Sequence, residues 1–355
     1  MDKKMYVGDI LYDLLENSSP ESRALIEEAI TRDLPEALRR EYEDVIAGTR
    51  LPALSSDIIA KKVFDPDEHP ERLEYLLRKL AKDDSIEVSG SFSNEGFIKS
   101  EGSKKVVFDI PARLVDGRLS NTEIQVAEQS SIFKRGEIYS SEMLMIQYSV
   151  NPGEKKSSLN YENAAGVILV ILMLHSADTF RKYDSIHYVH RFIEQRSDTG
   201  IAVKSMQKVI YVQLDKCLEQ FLEGKDGEKD NELQLLLAAI ADINNEAVNN
   251  AKDRLPMLKE ICNEVAELSH TKEVQTMLLA EKYAQADLDA ALAYKELEGE
   301  AKGEARGEAR GGNKMLYQLV QNGDLTVAVA AKNMGVSEEE FKDKMALCGY
   351  KLPEN

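Results

Sequence analysis

The sequence predicts an α/β fold, and two features of its residue pattern carry that prediction. Segments rich in β-branched and aromatic residues, which are typical of strands, fall between about residues 86 and 214. Segments with apolar residues at helical spacing come before, between and after them. We therefore expect a sheet with helices packed against it.

Residues 104–125, KKVVFDIPARLVDGRLSNTEIQ, form the centre of this pattern and predict a β-hairpin. An apolar strand opens the segment, and the dipeptide Asp116-Gly117 favours a tight turn between two strands. Apolar and polar residues then alternate from residue 122 to residue 126, which is typical of a half-buried strand.

Polar side chains on the two strands of this hairpin are candidates for a metal site. Glu123 and Gln125 share one face of the second strand, and the hairpin can bring Asp109 alongside them. Hard cations need such a cluster of oxygen ligands. The alternative is a half-buried strand that has one polar edge and no chemical role.

Composition indicates a helix-rich protein without a membrane span. The 355 residues suffice for one sizeable core and a second, smaller unit. Cys217, Cys262 and Cys348 show no metal-ligand spacing, and the first residues lack a signal-peptide pattern, so we expect a cytoplasmic protein. The longest apolar run, 167–174, is too short to cross a bilayer and predicts a buried strand or a buried helical segment.

The net charge of −18 is unevenly distributed along the chain. Residues 51–220 carry 22 basic and 25 acidic side chains, whereas the flanking segments hold most of the excess acid. Phosphate contacts need lysine and arginine. The charge of the central segment therefore permits nucleic-acid binding without indicating it.

A short helix before the hairpin has paired charges. Ser55 or Ser56 can cap this helix, which places Asp57 and Lys61 four residues apart on one face. The pair is either part of a site or a surface ion pair of little energetic value.

A second helix, predicted over residues 132–150, follows the hairpin. Arg135 and Tyr139 lie four residues apart near its start. Either of them could face a phosphate, or the tyrosine could simply pack against the arginine stem.

The order of these segments predicts five regions. We expect a helical N-terminal extension over 1–50, in which Ser19 caps a first helix and a second helix begins near Leu34. An α/β domain over 51–222 follows and, after the polar linker 223–232, a helical region extending to residue 298.

A Glu-Ala-Arg-Gly repeat occupies 299–312, and a small module with helix–turn–helix features occupies 313–355. In that module Thr326 begins a helix, Gly335 ends it and Ser337 caps the next helix. The repeat fits either a self-associating helix or a frayed, solvated linker.

The ordered set of motifs resembles the recombination-promoting nuclease (Rpn) branch, or nuclease-family transposases, of the PD-(D/E)XK superfamily. The resemblance spans about residues 55–215 and the C-terminal tail. It rests on Asp57-x-x-x-Lys61-x-x-Phe64, Asp109-Ile-x-Ala112 with Asp116-Gly117, Glu123-Ile-Gln125, Arg135 with Tyr139, the segment 153–161 leading into VILVIL, and the Glu-Ala-Arg-Gly repeat.

This resemblance implies a mixed central sheet flanked by helices, with Mg²⁺ bound at the hairpin. Asp109 and Glu123 would be metal ligands, with Asp57 as a further ligand. Gln125 stands where the superfamily usually has a lysine, and a glutamine at this position is usual in this branch. Its amide could orient the attacking water. Lys61 would then supply the missing positive charge.

The function implied is that of a Mg²⁺-dependent DNA endonuclease with low sequence specificity that promotes recombination or DNA mobility. Arg135 and Tyr139 would contact the substrate. The alternative is a catalytically inactive nuclease-fold protein that binds partners through its acidic helices, and self-association through the C-terminal helices fits both. A transcription regulator is disfavoured because residues 337–342 are mostly acidic.

Overall fold

A computed structural model describes residues 18–92, 106–126, 131–147, 164–183 and 185–352. The chain divides into two compact units, residues 1–284 and 285–355. Residues 97–99, which the sequence pattern predicts as a strand, and the motif segment 153–161 lie outside the described residues.

The first unit is built on a six-stranded mixed sheet, as the sequence analysis predicted. Its strands are β1 (Val88–Ser91), β2 (Ile110–Leu114), β3 (Leu119–Gln125), β4 (Val167–Met173), β5 (Val189–Arg196) and β6 (Ala202–Gln213). They lie in the order β1-β2-β3-β4-β6-β5. The three central strands β3, β4 and β6 run parallel, and each remaining pair is antiparallel. The apolar run 167–174 is therefore a buried central strand.

The predicted hairpin is formed by β2 and β3, with Gly117 in its turn at a φ of 86°. The first strand begins at Ile110, later than the apolar run suggested. Side chains replace ladder bonds beyond that point, because the Ile110 amide donates to Asn121 and the Asp109 amide donates to Glu123. The polar residues of the motif thus end the strand pairing.

Helices flank the sheet in the first unit, and further helices belong to the second unit. Their bounds are α1 Pro20–Asp33, α2 Glu36–Ile46, α3 Asp57–Val63, α4 Pro70–Ala81, α5 Ile132–Gln147, α6 Asp178–Arg181, α7 Leu214–Leu222, α8 Asn231–Asp242, α9 Glu246–Ala251, α10 Pro256–Leu268, α11 Lys272–Gln321, α12 Val327–Met334 and α13 Glu338–Leu347. A 3₁₀ turn, Lys252–Arg254, joins α9 to α10.

Alternate residues of the central strands build two hydrophobic cores, one on each face of the sheet. Ile168, Val170 and Leu172 of β4 point into the larger core, which also receives the leucine stripe of α4. Leu169 and Ile171 point into a smaller core beneath α5 and α6. Burial on both faces explains why β4 is apolar throughout its length.

Residues beyond the predicted boundary at 222 contribute to the larger core. Leu236 of α8 and Ile261 of α10 are fully buried in the same cluster as the strands of the sheet. The polar segment 223–232 also contacts the sheet, since Glu228 pairs with Arg191 of β5 and its side chain is only 3% exposed. The separation of 223–298 from the sheet domain stays a prediction, and the first compact unit extends to residue 284.

The N-terminal helices begin and end for local reasons. Ser19 caps α1 by accepting a hydrogen bond from the Ser22 amide, as predicted. The second helix begins at Glu36 rather than near Leu34. Leu34 is extended because proline follows it, and residues before proline avoid the helical region.

The second unit contains the end of α11 and the two short helices α12 and α13. Thr326 caps α12, Gly335 ends it in the left-handed region at a φ of 70°, and Ser337 caps α13 by accepting from the Glu340 amide. These three signals were predicted from the sequence and are confirmed. Residues 299–312 are helical, and self-association through this region stays a prediction. In neither unit is a helix of the described residues long and apolar enough to span a bilayer.

Candidate active site

Asp109 lies immediately before β2, where the hairpin strands separate. Its carboxylate accepts a hydrogen bond from the Ile124 amide at 3.2 Å. Burial, and then the negative charges of Glu123 and Asp57, raise the pKa of Asp109 to about 7. The site therefore concentrates negative charge that the nearby Lys61 compensates only in part.

Glu123 is fully buried on β3 and both of its carboxylate oxygens are engaged. Oε1 accepts from Nδ2 of Asn121 at 2.7 Å and from the Asp109 amide at 3.2 Å. Oε2 accepts from Nη2 of Arg135 at 2.5 Å. Hydrogen bonds and an ion pair thus satisfy both oxygens of this buried carboxylate.

The charged pair predicted on α3 is present and faces Asp109. Nζ of Lys61 donates to Asp57 at 2.7 Å, and both side chains are about half exposed. The exposed geometry makes this pair weak as a stabilising interaction. Its position beside Asp109 is what connects it to the candidate site.

These side chains surround a small cavity of about 60 Å³. Carboxylates line it from three separate elements: Asp57 from α3, Asp109 from the hairpin and Glu281 from α11. Lys61 also lines it, whereas Glu123 does not and is joined to Asp109 by the hydrogen bond from the Asp109 amide. The cavity is large enough for a cation or a water molecule and too small for a nucleotide.

Glu281 is a site residue that the sequence analysis missed. Its carboxylate accepts a hydrogen bond from the Ser56 hydroxyl at 2.5 Å, and burial raises its pKa. A signal was present in the sequence, because Val274 and Leu278 are buried on α11 and Glu281 continues their i, i+4, i+7 stripe. An acidic residue on an apolar stripe marks a candidate functional position.

Arg135 and Tyr139, predicted to bind substrate, contact each other on α5. The guanidinium lies 4.6 Å from the centre of the Tyr139 ring and is paired with Glu123. Arg135 keeps 28% of its side chain exposed. Gln125 is half-buried, two residues beyond Glu123 on the same strand.

The described residues contain no group of three or more His, Cys, Asp or Glu side chains already arranged to hold a metal ion. Mg²⁺ does not require such a group, since it is usually held by one or two carboxylates and keeps several waters. Burial first, and then the negative charges of Glu123 and Asp57, raise the pKa of Asp109, so a cation in the cavity would meet uncompensated negative charge. The carboxylate-lined cavity therefore fits a divalent cation.

Comparison with known proteins identifies one family. A family model described as PD-(D/E)XK nuclease family transposase matches residues 55–295, which is more than half of the chain. No curated protein and no solved structure matches the chain. The matched range includes the sheet, the hairpin residues and Glu281.

Proposed function

Because this chain belongs to the PD-(D/E)XK nuclease family transposases, we propose that it is a Mg²⁺-dependent DNA endonuclease. It would hydrolyse phosphodiester bonds with low sequence specificity and so promote recombination or DNA mobility. The observation that carries the proposal is the cavity lined by Asp57, Asp109 and Glu281. Family membership makes a nuclease-like activity the expected kind of function.

The proposed metal ligands are the carboxylates that face or adjoin the cavity. Asp109 and Asp57 would hold the cation together with Glu281, and Glu123, which accepts a hydrogen bond from the Asp109 amide, would be a further ligand. When bound, the cation supplies positive charge for the scissile phosphate and makes a water more acidic. Glu281 extends the ligand set beyond the three residues expected from the sequence.

The remaining residues would orient the reactants. Lys61 lines the cavity and can offer its ammonium group to a phosphate oxygen once it releases Asp57. Gln125 can orient a water through its amide, although an amide cannot neutralise an oxyanion as lysine does. The exposed part of Arg135, supported by the Tyr139 ring, can contact a neighbouring phosphate.

Cleavage of supercoiled plasmid tests this proposal. We expect nicking by the wild type with Mg²⁺, and no nicking with EDTA or by Asp109→Ala. Asp84→Ala is the matched control, since Asp84 is an exposed aspartate outside the site. Equal nicking by Asp109→Ala and wild type would contradict the assignment.

A second candidate function is a catalytically inactive partner-binding protein. The observation in its favour is the engagement of both Glu123 oxygens by Arg135, Asn121 and the Asp109 amide. A glutamate held in this way is available to a cation only if Arg135 moves. Absence of cleavage with Mg²⁺ and Mn²⁺ on plasmid, duplex and single-stranded substrates would favour this function.

A further inference from the structure

A second cavity, of about 540 Å³, opens beside β5. Four aromatic side chains contribute to its wall, and we call it the aromatic pocket: Phe133 from α5, Phe180 from α6, Tyr183 after α6 and Phe192 from β5. None of the residues proposed above for metal binding or catalysis lines it. Its volume suits one nucleotide rather than a metal ion.

The aromatic rings of the pocket are arranged as a stacking surface. Phe133 and Phe180 stack at a centroid distance of 5.2 Å, and Phe192 packs edge-on against Phe133 at 6.0 Å. Phe192 is 50% exposed and Tyr183 is 63% exposed. Large aromatic residues that are ordered against neighbours and open to solvent are the surfaces on which unpaired bases stack.

Positive charge borders the same pocket. Lys82, His187 and Arg191 all contact the buried carboxylate of Glu228, at 3.9, 3.0 and 3.1 Å. Lys82 and Arg191 each carry a positive charge, whereas Glu228 carries a single negative charge, so the rim has a net positive charge. Nη2 of Arg191 is buried and has no hydrogen-bond partner among the described residues, so a small movement of this side chain would give an anion a free donor. This charge complements a phosphate.

The first turn of α5 connects the aromatic pocket to the candidate active site. Phe133 lines the pocket, and Arg135, two residues later, pairs with Glu123. In the sheet order, β5 is three strand spacings from β3. At about 4.8 Å per spacing, the two strands are about 14 Å apart, a distance that a few nucleotides can bridge.

We propose that the aromatic pocket binds a nucleobase of single-stranded DNA, with its phosphate at Lys82 and Arg191. The bound base would hold an unpaired strand across the end of the sheet, next to the carboxylate cavity. This inference rests on the proposed action on DNA and adds a preference for unpaired strands. Base stacking is tolerant of sequence, which agrees with low sequence specificity.

Fluorescence anisotropy of labelled oligothymidylate, measured in EDTA with the full chain, tests this proposal without cleavage. We expect Phe192→Ala and Tyr183→Leu each to weaken binding by about 5- to 150-fold, the range for losing one stacked base. Val203→Ala is the matched control, because Val203 is 60% exposed on β6 outside the pocket. Circular dichroism and thermal unfolding verify that each variant folds.

An abasic oligonucleotide separates stacking from phosphate binding. We expect it to bind the wild type more weakly than oligothymidylate, and equally to the wild type and Phe192→Ala. Wild-type affinity in folded Phe192→Ala and Tyr183→Leu would overturn the inference. The inference would also be overturned if Phe192→Ala and Tyr183→Leu lost affinity for duplex DNA and for single-stranded DNA to the same extent. That result would indicate a different use of this surface.

The two proposals fail in different measurements. Plasmid nicking that depends on Asp109, together with unchanged oligonucleotide binding by Phe192→Ala, would overturn the pocket and leave the nuclease. Aromatic-dependent binding without nicking would keep the pocket and overturn the nuclease.

Discussion

The Ser56 hydroxyl donates a hydrogen bond of 2.5 Å to the carboxylate of Glu281, although 225 residues separate them in the chain. Ser56 is the residue that precedes α3, and its hydroxyl makes no cap bond to that helix. The hydroxyl instead fixes a carboxylate from α11 beside Asp57 and Asp109. The matched family range covers residues 55–295, so it includes both Ser56 and Glu281.

The Glu281 carboxylate gives the first prediction. We expect Glu281→Gln to raise the Mg²⁺ concentration needed for half-maximal cleavage by at least about 10-fold, since even residues that only support the metal ligands commonly change metal affinity by that factor. Ser56→Ala should act in the same direction with a smaller effect. Glu273→Gln, an exposed site on the same helix, is the control. An unchanged magnesium dependence in Glu281→Gln would remove it from the site.

The buried pair of Glu123 and Arg135 gives the second prediction. Arg135→Met leaves a buried carboxylate without its ion-pair partner, and we expect a loss of about 3 kcal/mol in unfolding free energy. The double variant Glu123→Gln with Arg135→Met should recover part of that loss, because the buried charge is also removed. Urea unfolding of the two single variants and the double variant measures the coupling. Purely additive losses would contradict it.

Asp83 and Arg118 give a prediction on pH. Hydrogen bonds from Ser85, together with the Arg118 guanidinium at 2.8 Å, lower the pKa of Asp83 to about 2. A lowered acid pKa stabilises the fold above the unfolded value near 4, and this contribution is lost as pH falls toward 2.

Asp83→Asn should therefore cost about 1 kcal/mol at pH 7, a value reduced for the partly solvated position, and almost nothing near pH 2. Unfolding of both proteins by urea between pH 2 and pH 7 measures the difference. A constant difference across this range would show that the ion pair with Arg118 is not its source.

The caps of the C-terminal helices give the fourth prediction. Gly335 has a φ of 70°, so Gly335→Ala should destabilise its helix pair by about 1 kcal/mol. Ser337→Ala should cost a similar amount through the lost bond to the Glu340 amide. Lys342→Ala, at an exposed position on α13, is the control in thermal unfolding of the full chain. Equal melting of Gly335→Ala and this control would contradict the cap assignment.

Features that depend on neighbouring residues could be predicted from the sequence. The turn at Asp116-Gly117 and the caps Thr326 and Ser337 are specified within four residues of themselves, and the structure has each of them. The period of two also placed Glu123 and Gln125 on one face of the strand.

Contacts between distant residues could not be predicted in the same way. Glu281 reaches the cavity only because α11 packs against the start of α3, and no local pattern specifies that packing. The pairing of Arg135 with Glu123 likewise depends on where α5 crosses the sheet. The sequence analysis identified Glu123 and Arg135 as polar residues near the site. It did not predict that they would form an ion pair.

We expect the carboxylates gathered around Asp109 to lower the unfolding free energy of the metal-free protein. Burial and the neighbouring Glu123 and Asp57 raise the pKa of Asp109 to about 7, so the folded state retains a proton that the unfolded state loses near pH 4. Stability therefore falls as pH rises from about 4 to about 7 and then stays level. Asp109→Asn removes this loss.

In EDTA at pH 8, we accordingly expect Asp109→Asn to unfold at least about 2 °C higher than the wild type, and at pH 4 we expect no difference. Mg²⁺ should raise the unfolding temperature of the wild type by mass action and leave that of the variant unchanged. Asp84→Asn should follow the wild type in every condition. An equal magnesium response in Asp109→Asn would mean that the cation binds elsewhere, because a ligand stabilises only the protein that holds it.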